Sequence, residues 1–315
     1  MRKNLRQKLL IGVIVATVIL AMVLLKYSWI NDTNLSGLIL DSDEGYSLYL
    51  DNQDVIVLDG MLGNMAVSKD KNRGVFFREN QNGQVEIAEV TFDNAQIRIV
   101  ADAEILQKSM WAADETDYSG SVKERPESIK YVNEENLISF SWNNALYQMN
   151  LTQYKIDCIV EKLDRAEFAL EGQDYEWVNE NEIVYVTNDE KGASCIVKYD
   201  LQTQNRQFVH YGTGVGLFED GENILCYQTY IKDSITWEHF HEFSVVNINS
   251  LEVERSYTYR EVRLFKPEAS IVFQYRDNDL VLWSEKGNNC LYSYDFVRGE
   301  IIRKKLLGKR IYSIL

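Results

Sequence analysis

The chain carries only three histidines, His210, His239 and His241. In His239-Phe240-His241 both imidazoles fall on one face of a strand, because side chains alternate with period two, and Glu238 or Glu242 stands beside them. That spacing makes His239 and His241 a weak metal candidate; a solvated strand face is the simpler reading, and no cofactor is expected. Asp41-Ser42-Asp43-Glu44, Asp51 with Asp54, and Asp277 with Asp279 offer oxygen ligands of the kind calcium uses, yet none has the spacing of a calcium-binding loop. Hairpin turns use the same residue types for backbone reasons.

Nucleophilic chemistry has less support. No Gly-x-Ser-x-Gly elbow is present. Gly212-Thr213-Gly214-Val215-Gly216 lacks the Lys-Ser/Thr of a phosphate cradle and reads as a flexible connection. Paired carboxylates for glycan cleavage are defined by a separation in space, so the sequence neither places nor excludes them. Cys158, Cys195, Cys226 and Cys290 lie far apart without a Cys-x-x-Cys pair, which points to free and mostly buried thiols rather than a zinc or redox centre.

Charge divides the chain in two. Five of the 33 Lys/Arg and none of the 48 Asp/Glu precede residue 31, which leaves a net −20 for the rest. A domain so acidic is repelled by nucleic acid, and nucleic-acid binding is not expected. Arg2, Lys3, Arg6 and Lys8 precede Leu9–Leu25, a run without a charge. A bilayer core needs roughly 17–25 residues of apolar helix. With Lys26 able to snorkel and Tyr27 and Trp29 suited to the interface, residues 9–30 are expected to form a transmembrane signal anchor. The basic tail, residues 1–8, then stays in the cytoplasm and residues 31–315 are exported. A cleaved signal peptide is the rival reading, but the apolar run is long and bulky residues follow it. A buried soluble helix is the other.

Beyond residue 35 the sequence consists of short apolar or alternating runs separated by Asn, Asp, Gly and Glu, the pattern of strands and tight turns. Two signatures repeat. Ser194–Leu201 aligns without a gap with Asn289–Phe296, and Asn144–Leu151 and Glu242–Ile248 fit the same template, placing a recurring polar residue at Asp51, Glu89, Asn150, Asp200, Asn247 and Asp295. Tyr131–Ser139 aligns with Trp177–Tyr185, with looser copies beginning at Ala66, Leu217 and Tyr275. Two hairpin signatures per repeat make four strands, the unit of a β-propeller blade. The expected fold is therefore all-β, a propeller of six blades with five or seven as alternatives. Ile311–Ile314 is expected to pair beside Ser36–Leu40 and close the ring.

The turn at Val67-Ser68-Lys69-Asp70-Lys71-Asn72 resembles the aromatic-Ser-Pro-Asp-Gly-Lys box of TolB-like six-bladed propellers. The proline is missing, and glycine appears only in Asp220-Gly221. The resemblance implies the fold and contacts with proteins or ligands at the faces of the ring; it brings no catalytic residues.

The wide interval between the second and third repeats locates an insertion near 102–128. Within it Ala101–Ala113 has helical spacing, and Met110, Trp111 and Tyr118 are the candidate partner-binding residues, since long excursions from a repeat scaffold often bind. The expected function is a non-catalytic, membrane-anchored binding module for a protein or cell-envelope ligand, touching the bilayer through residues 9–30. A hydrolase or lyase acting on extracellular glycans, with carboxylates at the central channel, is the alternative.

Overall fold

A computed structural model describes residues 27–29, 37–42, 45–50, 55–111, 128–132, 136–142, 144–166, 169, 173–218, 220–233, 238–262, 271–276, 280–285, 289–306 and 309–314. The apolar run Leu9–Leu25 lies outside them. Among the described residues no helix is long and apolar enough to cross a membrane.

The strands fall into six sheets, five of four strands and one of five. The first combines β2 (Leu38–Ser42), β3 (Gly45–Tyr49) and β4 (Val55–Leu58) with β25 (Arg310–Ile314). The second holds β5 (Met61–Val67), β6 (Arg73–Glu79), β7 (Val85–Thr91) and β8 (Gln96–Ala101), and the third β9 (Ser128–Tyr131), β10 (Leu137–Trp142), β11 (Ala145–Asn150) and β12 (Lys155–Val160). The fourth holds β13 (Tyr175–Asn179), β14 (Glu182–Asn188), β15 (Ser194–Asp200) and β16 (Arg206–Tyr211). The fifth is β17 (Gly214–Leu217), β18 (Asn223–Asp233), β19 (Glu238–Asn247) and β20 (Val253–Val262). In the sixth, β21 (Ile271–Arg276), β22 (Leu280–Glu285), β23 (Cys290–Asp295) and β24 (Glu300–Lys305) are joined by β1 (Tyr27–Trp29). One helix, α1 (Ala103–Trp111), stands between β8 and β9.

Alternation along each strand sends side chains to both faces of its sheet, and each face packs on the next sheet. In β15, Cys195, Val197 and Tyr199 pack toward the third sheet while Ile196 packs toward the fifth. Six apolar clusters result, each shared by two neighbouring sheets, and the last joins the sixth sheet to the first. The fold is a β-propeller. Its ends meet inside the first sheet, where Leu38 pairs with Ile314 and Asp41 with Arg310, antiparallel. The two termini of the domain are thereby hydrogen-bonded into one sheet, the clasp anticipated from the sequence.

The recurring polar residues are turn initiators. Asn150, Asp200, Asn247 and Asp295 each accept the N–H groups two and three residues on at Oδ1, at 2.7–3.0 Å. Each backbone carbonyl accepts the N–H four residues on, at 2.8 Å. The fourth residue takes a positive φ: Tyr154 at 55°, Gln204 at 57°, Leu251 at 61° and Gly299 at 65°. An Asx side chain mimics backbone in such a turn, which is why the position keeps its chemistry while its neighbours drift. Asp51 lies outside the described residues. Glu89 is a correction: it sits within β7, buried between Arg73 Nη1 at 3.2 Å and Arg98 Nε at 2.6 Å. The matching turn of the second sheet ends at Ala95, φ 54°.

Two further expectations are corrected. Gly214–Leu217 is the inner strand β17 rather than a flexible connection. Close approach explains the glycine before it, since a Cβ on Gly212 would lie 2.9 Å from both Ile196 Cδ1 and the Tyr227 carbonyl oxygen. Tyr27–Trp29 is not the interfacial end of a helix but a strand paired parallel to β24, with Tyr27 opposite Arg303 and Trp29 opposite Lys305. The open edge of β24 offers free backbone groups, and pairing satisfies them.

Candidate functional site

Strand direction assigns every connection to one of two faces. In each sheet the second strand runs antiparallel to the innermost, so the link into the next sheet and the hairpin between the middle strands emerge together. One face therefore carries the connections at 102–127, 161–174 and 263–270, alongside links as short as 59–60 and 212–213. It also carries the distal part of the fifth sheet. There β17 pairs only with Ile224–Tyr227, while β18, β19 and β20 continue as a three-stranded extension in which Glu238–Glu242 pairs with Gln228–Asp233 on one side and with Thr258–Val262 on the other. The opposite face holds the Asx turns and the turns between first and second strands, of which Asp70, Glu180, Asp220 and Glu222 are described acidic members.

The connections on the loop-bearing face are held by side chains. Asp102 caps α1, its Oδ1 accepting the Ile105 N–H at 2.9 Å; Ala103 is buried, and Leu106 packs into the core between the second and third sheets. Met110 and Trp111 occupy the end of α1 but their side chains, like all of Tyr118, fall outside the described residues. In 161–174 the Leu163 N–H reaches the Asn144 carbonyl at 2.6 Å and the Ala166 N–H reaches that of Val186 at 3.1 Å. Arg165 Nε lies 2.9 Å from Asp174 Oδ2, and these side chains are 8% and 0% exposed. Arg165 Nη1 also donates to Ser141 Oγ at 3.2 Å, and Ser128 Oγ donates to Asp174 Oδ1. This node ties third and fourth sheets from beneath the connection.

The innermost strands are joined in the same way. A bulge in β5 between Leu62 and Met65 frees Asn64, whose amide donates to the Ile129 carbonyl at 3.1 Å and accepts its N–H at 3.2 Å. Lys130 of β9 meets Glu176 of β13 at 2.6 Å. Burial raises the Glu176 carboxyl above the ordinary glutamate range, against the pull of the Lys130 ammonium. Behind it, Ser139 Oγ is 3.0 Å from the Tyr175 hydroxyl and accepts the Trp177 Nε1 hydrogen at 2.7 Å. Glu176 and Asp174 are thus each occupied by a cation, and Asp174 is out of a substrate's reach. This is a structural tie between sheets; it does not offer the accessible carboxylate pair that glycan cleavage needs.

His241 is buried, and its Nδ1 is 2.9 Å from the Tyr227 hydroxyl, with the two rings stacked at 6.2 Å. Its partner in the metal candidate, His239, shares β19, but its side chain lies outside the described residues. Among the described residues no group of three potential ligands converges. Cys195, Cys226 and Cys290 are buried and Cys158 is exposed, all as free thiols.

One pair has no signal in the sequence pattern. Phe208 and Tyr211, on the outermost strand of the fourth sheet, are about half exposed, with ring centroids 5.2 Å apart. A register shift against Ile196 and Val197 turns both outward where alternation would separate them. Tyr211 ends its strand at the loop-bearing face.

No family model matches the chain, and no curated protein matches it by sequence. Solved structures do. TolB from Acinetobacter baumannii superposes with a TM-score of 0.55 at 13% identity, over 87% of this chain and 64% of that one. An auxiliary nutrient binding protein from Bacteroides thetaiotaomicron gives 0.46 at 11% identity, covering 88% and 62%. The β-propeller domain of the Trilobed protease from Pyrococcus furiosus gives 0.46 at 12%, covering 84% and 77%. The chain corresponds to less than two thirds of the TolB chain, and the likeness is one of fold.

Proposed function

We propose that the chain is a six-bladed propeller, tethered outside the cytoplasm by the apolar run Leu9–Leu25, that binds a partner protein or cell-envelope ligand through its loop-bearing face without catalysing a reaction. The observation that carries this reading is the asymmetry of the two faces. The three longest links between consecutive sheets and the distal extension of β18, β19 and β20 emerge on one side, while the hairpins of the other side close in short turns. Irregular segments on a rigid ring are where binding surfaces are usually built. Phe208 and Tyr211 supply the exposed aromatic contacts that dominate interface energetics. The charged groups at the inner strands are used between sheets, which favours a binder over the glycan-cleaving alternative.

A photo-crosslinking residue placed at Phe208, and separately at Gln202 on the opposite face, tests this in cells producing the full chain. Discrete adducts from position 208, weakened by Tyr211→Ala, are the expected result. Equal labelling from both positions, or from 202 alone, would refute the assignment of the face. Recovery of the chain in the membrane pellet after an alkaline carbonate wash checks the tether separately.

A further inference from the structure

Five turns, four of them begun by Asn or Asp and the fifth sharing their positive φ at Ala95, cap the outer hairpins on the turn-bearing face among the described residues, and their tips differ at one place. The tips are Asp93-Asn94, Thr152-Gln153, Gln202-Thr203 and Asn249-Ser250 in the second to fifth sheets, but Val297-Arg298 in the sixth. Val297 is 74% exposed, the most exposed large apolar residue of the described chain, and the Arg298 side chain is 76% exposed. The turn is rigid, because Asp295 Oδ1 accepts the N–H groups of both at 2.8 and 3.0 Å. Nothing in its folding calls for an apolar tip, since polar residues serve in the other four.

The sixth sheet is also where the chain arrives from the apolar run. Parallel pairing sets Tyr27 opposite Arg303, and only Lys26 separates Tyr27 from Leu25. Two residues of extended chain span at most about 7 Å. The described chain thus enters the sixth sheet opposite Arg303 of β24, whose first residue, Glu300, follows the turn directly. Three residues of strand between Glu300 and Arg303 amount to about 10 Å. Within the turn Arg298 Nε lies 3.5 Å from Asp295 Oδ2 with most of its side chain in solvent, while Lys305, Lys309 and Arg310 stand at the far, loop-bearing end of the sixth and first sheets.

We propose that the Phe296–Gly299 turn is a seat on the bilayer, in which Val297 enters the interface and Arg298 meets anionic lipid headgroups, so that the loop-bearing face points away from the membrane. The proposal rests on the reading of Leu9–Leu25 as an anchor. The acidic turns nearer the axis on the same face oppose flat contact, so the ring meets the bilayer at this one corner.

The full chain is reconstituted in vesicles of phosphatidylcholine and phosphatidylglycerol, with Cys158→Ser removing the exposed thiol. An environment-sensitive fluorophore is attached at Val297→Cys, Gln202→Cys or Lys191→Cys, the last on the β14–β15 hairpin of the loop-bearing face. Position 297 should show blue-shifted emission that nitroxide-labelled lipid quenches, with positions 202 and 191 unaffected. Arg298→Glu should reduce the quenching at 297 in the anionic vesicles. If the chain floats with carbonate-washed vesicles while 297 is quenched no more than 191, the anchor stands and the seat is wrong. A chain that fails to float with the vesicles overturns the anchor, and the seat with it. Quenching at 297 that is indifferent to Arg298→Glu and to phosphatidylglycerol overturns the headgroup contact.

Discussion

The two faces of the ring end their strands without stranding polar backbone, but they differ in what holds their longest segments. On the turn-bearing face the solution is local and repeated: an Asx side chain, two backbone N–H groups and one positive φ, all within five residues. On the loop-bearing face the hairpins are closed locally too, Asn80 Oδ1 accepting the Asn82 and Gln84 N–H groups and Asp189 Oδ1 those of Lys191 and Ala193, but the long link between the third and fourth sheets is held at long range. Asp174 answers Arg165 and Ser128, 46 residues away in the chain, and Leu163 answers Asn144. Local solutions free a face from needing particular partners, whereas long-range ones make its connections depend on the packing beneath them. Binding elements belong on the second kind, because their sequence can change wherever a few buried ties persist.

The largest expected effect comes from cutting one of those ties. Removing one partner of a buried ion pair typically costs about 3–5 kcal/mol, because the other charge stays buried. Asp174→Ala should lower stability by that amount in chemical denaturation. A loss below about 1 kcal/mol would mean that water reaches Arg165 and that the connection does not depend on the node. The inner tie gives a pH-dependent effect. Because burial raises the Glu176 carboxyl, the native state takes up its proton at a higher pH than the unfolded chain does. This group therefore adds stability as pH falls from its native value toward the ordinary glutamate range, and that contribution disappears as pH rises through the native value. Glu176→Gln should flatten the stability profile in that window, and an unchanged slope would remove the carboxyl from consideration.

On the other face a turn initiator is worth less. Asn247→Ala takes acceptors from the Asn249 and Ser250 N–H groups, which water can then reach. The expected cost is about 1 kcal/mol, read as a shifted denaturation midpoint with an unchanged slope. A cost equal to that of Asp174→Ala would erase the distinction between the faces.

This contrast also explains what the sequence made legible. Turns that repeat leave a trace at fixed offsets, so Asn150, Asp200, Asn247 and Asp295 could be aligned and the four-stranded unit read from them. The TolB-like turn is legible for the same reason. Lys71 stands where that box has glycine and takes φ 58°, as Gly221 takes 69° in the fifth sheet, and each N–H closes on the carbonyl three residues back. The strand clasp was legible because Arg310–Leu315 had no partner within its own repeat. What could not be read has no period. The Arg165–Asp174 node, the outward pair Phe208 and Tyr211, and β1 on the edge of β24 each depend on contacts made once. Gly212–Gly216 reads as a connection although its second half is strand, because glycine in a strand marks close approach as well as turns. Met110 and Trp111 were singled out by their setting in a long insertion, and the helix that carries them is present.

The smallest effect is expected at the tips of the Asx turns. Gln153 is exposed, and what it gives its turn is a backbone N–H to Asn150 Oδ1 at 2.9 Å, which any residue but proline supplies. Gln153→Ala should change stability by less than about 0.5 kcal/mol, the usual range for surface positions away from special features. A larger loss would show that tip side chains help to build the turn, and the tip sequence would then report on folding. If the effect is as small as expected, residues at these tips are free of the fold. The difference between Val297-Arg298 and Thr152-Gln153 is then open to the bilayer contact proposed for the sixth sheet, which the third lacks.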